Sequence, residues 1–327
     1  MKTVISTDRV AAVELLRGGD LVALPTETVY GLAANALSPI AVAKIFEAKE
    51  RPRFDPLIVH LPNREWLKRI VVLPAGDQQL ILKLADKFWP GPFTMVLPKR
   101  DIVPDIVTAG LDTVAVRISA HPAFAEIVGE LDEPLAAPSA NRFGRVSPTT
   151  ARHALNELNG RIPLIIDAGA TEHGIESTIV AVQDGRIETL RRGPITGEQL
   201  SEFADVVSAT VTPRIFAPGQ LPSHYAPTTP LRLIDNAEAF PRQKNQRVGL
   251  LAWSGPPSSQ VETCRSDAFA AVRNLSDRGD LREAAANLFR YLRELDALGL
   301  DLIVAERVPS RGLGAAIMDR LERASHR

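Results

Sequence analysis

Residues 21–60, LVALPTETVYGLAANALSPIAVAKIFEAKERPRFDPLIVH, constrain the fold of this chain more than any other stretch. The apolar run Leu21–Leu24 reads as a buried strand. Pro25 stops it, because proline cannot donate to a sheet ladder. A polar loop follows, with Thr26, Glu27, Thr28 and Tyr30, closed by Gly31. Ser38-Pro39 then starts a helix, with serine as N-cap and proline at the first helical position. Ile40, Ala43, Ile45 and Phe46 supply its apolar side. The helix runs into the cations Lys49, Arg51 and Arg53, and a second strand, Leu57–Leu61, carries His60. Two core strands thus deliver a hydroxyl-rich loop and a cationic loop close together in the chain, which is how a site for an anionic ligand is built.

A chain of 327 residues fits one large and one small domain. The formal net charge of −1 argues against a broad nucleic-acid-binding surface and leaves room for a local basic pocket. The single cysteine, Cys264, excludes a disulfide framework within the chain and reads as structural. The six histidines are scattered without HExxH or other metal spacing. The stretch MKTVISTDRVAAVELL lacks the continuous apolar core of a signal peptide, and no segment is long enough to span a bilayer. A cytoplasmic protein is expected.

Asp8 caps a first helix to about Arg17, with Val10, Val13, Leu15 and Leu16 as apolar positions. Asn63 starts a short helix, residues 77–87 form an amphipathic one, and Thr94–Leu97 form a strand. Thr113–Ile118, TVAVRI, alternates with a strand's period and places Arg117 near its end. His121-Pro122 opens a helix, Leu135–Pro138 is a short strand, and Ser147-Pro148 caps a helix as Ser38-Pro39 does. Leu164–Asp167 is a buried strand. Residues 177–182 and 186–191 make a hairpin turned at Gln183-Asp184-Gly185. Residues 213–230, rich in proline, form a linker or covering loop. Beyond it, strands at 231–234, 248–253 and 302–305 and helices at 281–297 and 312–323 make a small α/β domain. Alternating strands and helices interrupted by a hairpin predict a mixed sheet in an α/β fold.

Nucleotide signatures of the P-loop and dinucleotide types are absent, since Gly312-Leu-Gly314 lacks the third glycine. What remains is a set of hydroxyls and cations at strand ends: Thr26, Thr28, Lys49, Arg51, Arg117, Ser139, Asn141, Ser147, Ser177 and Arg191. Each serine or threonine alone is explained as a cap or turn residue, and each arginine as a surface ion pair. Arg117 resists that explanation, because an unpaired charge inside an apolar strand is costly. A carboxylate or phosphate partner resolves it. The helix starts at Ser38 and Ser147 add dipoles that favour anions.

With these residues in view, the chain resembles the YrdC-like threonylcarbamoyl-AMP synthases in their longer, two-domain form. The matching segments are PTETVYGL (25–32), AKERP (48–52), PLIVH (56–60), FWPGPFT (88–94), VAVRI (114–118), APSAN (137–141), SPTTA (147–151), ESTIV (176–180) and HYAP (224–227). The resemblance implies a YrdC-like mixed twisted sheet with flanking helices over residues 1–207, a linker covering the active site over 208–230, and a small Rossmann-like α/β domain over 231–327. It also implies that L-threonine, bicarbonate and ATP give threonylcarbamoyl-AMP and pyrophosphate. Downstream transfer proteins then carry the threonylcarbamoyl group to tRNA. Carried over by motif, Thr28, His60, Arg117 and Ser177 contact threonine, with Thr26 and Ala137 beside them. Lys49, Arg51, Asp55, Thr113, Ser139, Asn141, Ser147, Arg191 and Tyr225 line the ATP site, with Lys49 and Arg51 acting catalytically on the phosphates and Tyr225 folding over the site. Magnesium enters with ATP. Asp55 departs from the family pattern, and Leu190-Arg191-Arg192-Gly193 leaves two arginines as candidates for the nucleotide.

Two rival readings remain beside it. Related folds present a concave basic surface, so a double-stranded RNA or tRNA-binding module without catalysis is the alternative, and a weak RNA contact stays open for the enzyme as well. A carbamoyl transferase of hydrogenase maturation needs cysteine-rich zinc segments that a chain with one cysteine cannot supply.

Overall fold

A computed structural model describes residues 2–52, 54–208, 217–219, 224–241, 245–254 and 269–326. Arg53, Cys264 and most of the expected 208–230 linker lie outside the described residues. The chain divides into two compact units: 1–143, 148–172 and 176–220 form the larger, and 144–147, 173–175 and 221–327 the smaller.

The larger unit contains, in order, β1 (Val4–Ser6), α1 (Arg9–Arg17), β2 (Val22–Leu24), β3 (Gly31–Asn35), α2 (Pro39–Lys49), β4 (Ile58–His60), α3 (Glu65–Ile70) and α4 (Gln78–Phe88). It continues with β5 (Phe93–Pro98), α5 (Asp105–Thr108), β6 (Thr113–Arg117), α6 (Pro122–Leu131), β7 (Leu135–Ala136), α7 (Ala151–Leu158) and β8 (Leu164–Ile166). β9 (Thr178–Gln183), β10 (Arg186–Arg191), α8 (Gly197–Leu200) and β11 (Val206–Ser208) complete it. Its strands form one mixed sheet in the order β1-β8-β2-β3-β7-β4-β6-β5-β9-β10-β11. β4 and β6 run parallel and pair His60 with Arg117, while β5 and β6 run antiparallel.

Alternation along the strands separates two apolar layers. Ala23, Leu32, Ala34, Val59, Val114 and Val116 face the core built on α2 and α4. On the opposite side, Val22, Leu24, Ala33 and Leu135 pack against α1 and α6, and Ile58, Val96, Ala115 and Ile179 pack with Ala217. This second side is the one that carries His60 and Arg117.

Several local expectations are corrected. Ile40 and Val10 are exposed, at 77% and 70%. The buried side of α2 is instead Ala41, Val42, Ile45, Phe46, Ala48 and Lys49, and that of α1 is Ala12, Val13 and Leu16. Ser147 does not cap a helix: Thr150 is the N-cap of α7, and its hydroxyl accepts from the His153 amide. Ser38 and Asp8 do cap α2 and α1, each accepting an amide in the first turn. The turn between β9 and β10 has positive φ at both Asp184 and Gly185, the two-residue hairpin geometry that matches strand twist.

The smaller unit contains β12 (Leu231–Ile234), β13 (Val248–Ser254), β14 (Ala271–Ser276), α9 (Leu281–Asp296), β15 (Leu302–Glu306) and α10 (Leu313–Ser325). Its sheet is parallel throughout, in the order β12-β15-β13-β14. Asp280 caps α9 by accepting from the Arg282 and Glu283 amides.

Candidate active site

The strand residues singled out in the sequence share one face of the large sheet. Thr113, Ala115 and Arg117 alternate along β6, and the register sets Arg117 beside His60. β9 lies parallel to β5, pairing Thr94 with Ile179, and Arg191 of β10 pairs with the same Ile179. Ser177, two residues before Ile179, therefore joins this face.

At one end of the face, Arg117 is 3% exposed. Its Nη2 donates to Glu27 Oε1 in a buried ion pair, and its Nη1 donates to Thr28 Oγ1 at 3.3 Å. The Ser119 hydroxyl donates to Glu27 Oε2 at 2.5 Å. Thr26 and Thr28 share a hydroxyl hydrogen bond of 2.8 Å, and Thr26 also donates to the Val29 carbonyl. The partner that makes the buried guanidinium tolerable is thus Glu27, from the polar loop between β2 and β3. Burial lowers the Arg117 pKa from its usual value, and Glu27 works against that shift. Burial also pushes His60 well below the ordinary histidine value; Arg117 pushes the same way and the Ala137 backbone opposes. His60 stacks obliquely on Phe124 at 4.8 Å.

The loop that carries these hydroxyls is stitched to the segment around Ala137. Ala137 N donates to the Ile58 carbonyl, Leu32 N to Pro138 O, and Ala140 N to Tyr30 O. A side chain at Gly31 would press on Ala137 Cβ at 3.3 Å, so the close approach favours glycine.

Further along the face, the Ser177 hydroxyl is 2.8 Å from Thr94 Oγ1 and accepts from Arg191 Nη2 at 3.0 Å. Arg191 Nε donates to the Ser177 carbonyl at 3.0 Å, and Nη1 to the Pro218 carbonyl. Arg192 is exposed while Arg191 is buried, so of the two candidate arginines Arg191 is the one turned inward. Gly193 permits this packing, because a Cβ there would lie 2.4 Å from Thr178 N. Ala217, fully buried on the same face, brings residues 217–219 against it.

The end of α2 supplies the third group. Lys49, 1% exposed, donates through Nζ to the Ser139 carbonyl at 2.6 Å and to the Asn141 carbonyl. Arg51 donates to the Asp55 and Pro56 carbonyls and pairs with the Asp55 carboxylate at 2.7 Å. Burial pushes Lys49 well below its usual pKa, with Arg51 pushing the same way and Asp55 and Glu157 opposing. Burial raises the Asp55 pKa, against the charges of Arg51, Lys49 and Arg191. Arg191 acting on Asp55 places the second and third groups within electrostatic reach of each other. Asp55 is thus the counter-charge of this cationic cluster.

Two expected site residues belong to the smaller unit. Ser147 is buried there, its carbonyl accepting from Arg293 Nε at 3.4 Å. Tyr225 has a positive φ of 61°. Its ring stacks on Phe289 at 5.5 Å and lies 5.2 Å from the Arg320 guanidinium.

A sheet face that carries a buried guanidinium and hydroxyls, with a second cationic group beyond the end of α2, belongs to an α/β protein whose buried cations are suited to anionic ligands. Residues 14–193 match the Sua5–YciO–YrdC family model, described as telomere recombination. Residues 195–326 match the model described as the threonylcarbamoyl-AMP synthase C-terminal domain. A Pyrococcus abyssi protein named threonylcarbamoyl-AMP synthase is 39% identical over 97% of this chain and 93% of its own. A Bacillus subtilis protein of the same name is 38% identical over 96% and 92%. The crystal structure of P. abyssi Sua5 complexed with L-threonine has a TM-score of 0.86 at 36% identity, covering 99% of this chain and 98% of that one. The chain belongs to the Sua5–YciO–YrdC family, in its two-domain threonylcarbamoyl-AMP synthase form, a family of nucleotidyltransferase-type enzymes. Among the described residues no helix is long and apolar enough to cross a membrane.

Proposed function

We propose that this chain makes threonylcarbamoyl-AMP and pyrophosphate from L-threonine, bicarbonate and ATP, for threonylcarbamoyl modification of tRNA by downstream transfer proteins. The observation that carries the reading is the presence of two unlike anion sites in the larger unit: Arg117 with Thr28 and His60 on one sheet face, and Lys49 and Arg51 beyond the end of α2, which act with Arg191 on Asp55. The first suits the carboxylate of an amino acid, since a guanidinium meets a planar carboxylate with parallel donors. The second suits a triphosphate. The relative solved with L-threonine supports threonine as the amino acid.

In this reading the threonine amine attacks the carbon of bicarbonate, forming a C–N bond as a C–O bond breaks and water leaves, to give a carbamate. A carbamate oxygen then attacks the α-phosphorus of ATP, forming the O–P bond as the bond to pyrophosphate breaks. The chain's part is alignment and charge stabilisation. Lys49 and Arg51 take up charge developing on the leaving phosphates, and Arg191 holds the nucleotide near Ser177. His60, kept neutral by burial, meets the substrate without adding a second cation beside Arg117. No cluster of three or more metal-ligating side chains occurs among the described residues, and the carboxylate of this cluster, Asp55, is paired with Arg51. In this reading magnesium would enter with ATP, where it would offset the charge of the phosphates.

The test is pyrophosphate release from ATP with L-threonine and bicarbonate omitted in turn. Release that needs both is expected. Release indifferent to threonine would sink the assignment, and absent release with salt-dependent RNA binding would favour a binding module.

A further inference from the structure

We propose that Glu27 is a positioning residue for the amino-acid substrate: held by Ser119, it fixes Arg117 so that a free edge of the guanidinium meets the substrate carboxylate. The inference rests on the proposed reading of Arg117 and adds to it a residue pair that the reading does not require.

The Arg117 guanidinium has five N–H groups to place. One on Nη2 goes to Glu27 and one on Nη1 to Thr28. Nε, fully buried, has no hydrogen-bond partner among the described residues. A buried donor without a partner is costly, so this edge is where a ligand carboxylate gains most. Glu27 is itself fixed at both oxygens, Oε1 by Arg117 and Oε2 by Ser119. Ser119 is 3% exposed and lies two residues beyond Arg117 on the same strand path. Thr28, the other contact of Arg117, is tied to Thr26. Arg117 is thus oriented from two sides by groups that are themselves held, with its remaining edge left to a ligand.

Stability does not account for the arrangement. A buried ion pair is a weak source of folding free energy compared with apolar side chains of the same volume, and this one leaves a donor unmet. The opposite role is also conceivable chemically: Glu27 could stand in for the substrate carboxylate and compete with it. The two roles differ in sign. Removing a competitor tightens substrate binding, whereas removing a positioning group weakens it.

Calorimetric titration of the full chain with L-threonine, and separately with magnesium–ATP, distinguishes them. Glu27→Gln is expected to weaken threonine binding by about ten- to a hundredfold, the size of a lost charge-assisted hydrogen bond. Ser119→Ala, which removes a neutral donor and leaves no charge unpaired, is expected to weaken it by about three- to tenfold. ATP binding should change by less than about twofold in both, because the cationic cluster keeps its own contacts. Unchanged or tighter threonine binding in both variants overturns the proposal, and so does an equal loss for threonine and ATP. If Glu27→Gln does not fold, Ser119→Ala carries the test alone. Wild-type protein that does not bind threonine overturns this proposal and the Arg117 assignment together. Wild-type protein that binds threonine but releases no pyrophosphate overturns the proposed reaction and leaves the comparison of variants decisive.

Discussion

A guanidinium at 3% exposure keeps its charge only if something nearby compensates for lost water, and at Arg117 that is Glu27. Deleting one member of such a pair is worse than deleting both. Arg117→Ala is expected to cost about 3–5 kcal/mol, since it leaves the Glu27 carboxylate buried without its counter-charge. Arg117→Met combined with Glu27→Gln should recover a large part of that loss. Urea unfolding of Arg117→Met, Glu27→Gln and the double variant measures this, and simple additivity of the losses would refute it. Threonine-dependent activity should be lost in the variants that lack Arg117, the stabilised double variant included, so stability and function separate. The arginine was legible in the sequence, because TVAVRI puts a charge in an apolar strand and demands an anionic partner. The partner was not legible. Glu27 lies 90 positions earlier in a loop whose side chains could equally serve a turn, and only the fold that brings the β2–β3 loop to Arg117 of β6 selects it.

The hairpin of β2 and β3 shows which elements a sequence pattern reaches. Leu21–Leu24 and the stop at Pro25 follow from β-propensity and from proline's missing donor. β3, GLAAN, has no β-branched or aromatic residue and does not advertise itself as a strand. It is one because β2 and β7 pair with it on either side. The loop between β2 and β3 is pinned by Tyr30, whose hydroxyl donates to the Gly169 carbonyl at 2.7 Å and accepts from the Ala168 amide. Burial pushes the Tyr30 phenol up to about 12 from 10.0. Between those values the folded chain keeps a proton that the unfolded chain has released, so stability falls as pH rises. The contribution is fully present below pH 10 and roughly 2–3 kcal/mol is lost by pH 12. Tyr30→Phe should be less stable at neutral pH by about 1 kcal/mol, the net worth of a hydrogen bond. Its stability should fall less steeply between pH 10 and 12. Parallel stability curves for the two proteins would show that Tyr30 does not carry this linkage.

At the scale of the whole chain, most strands and helices were legible in order, β1, β3, α5, α8, β11 and β14 excepted, but which pieces belong together was not. The expected boundaries follow chain order, 1–207 and 231–327, whereas the smaller compact unit also takes in 144–147 and 173–175. These short segments have no periodicity of their own, so nothing in their residues announces where they pack. Within that unit the Ala226 amide donates to Gly144 O, and Arg293 of α9 donates to the carbonyls of Val146 and Ser147. Gly174 is the sharpest case. Its φ is +70°, and a Cβ there would meet Ala286 Cα at 2.5 Å and Ala285 O at 2.6 Å. Gly169 has the same left-handed backbone, with φ of +82°, but a Cβ would meet nothing within 4 Å. The two glycines therefore separate backbone strain from close packing. Gly169→Ala should cost about 1–2 kcal/mol, the strain of a left-handed L-residue alone. Gly174→Ala should cost about 1–3 kcal/mol more, because helix backbone rather than a flexible side chain must yield. Denaturant unfolding of both variants provides the comparison. Equal losses would mean that residues 173–175 are held only by their own turn; a larger loss at Gly174 would mean that their packing on α9 contributes to stability, so that excising residues 221–327 as a simple C-terminal domain would remove that support.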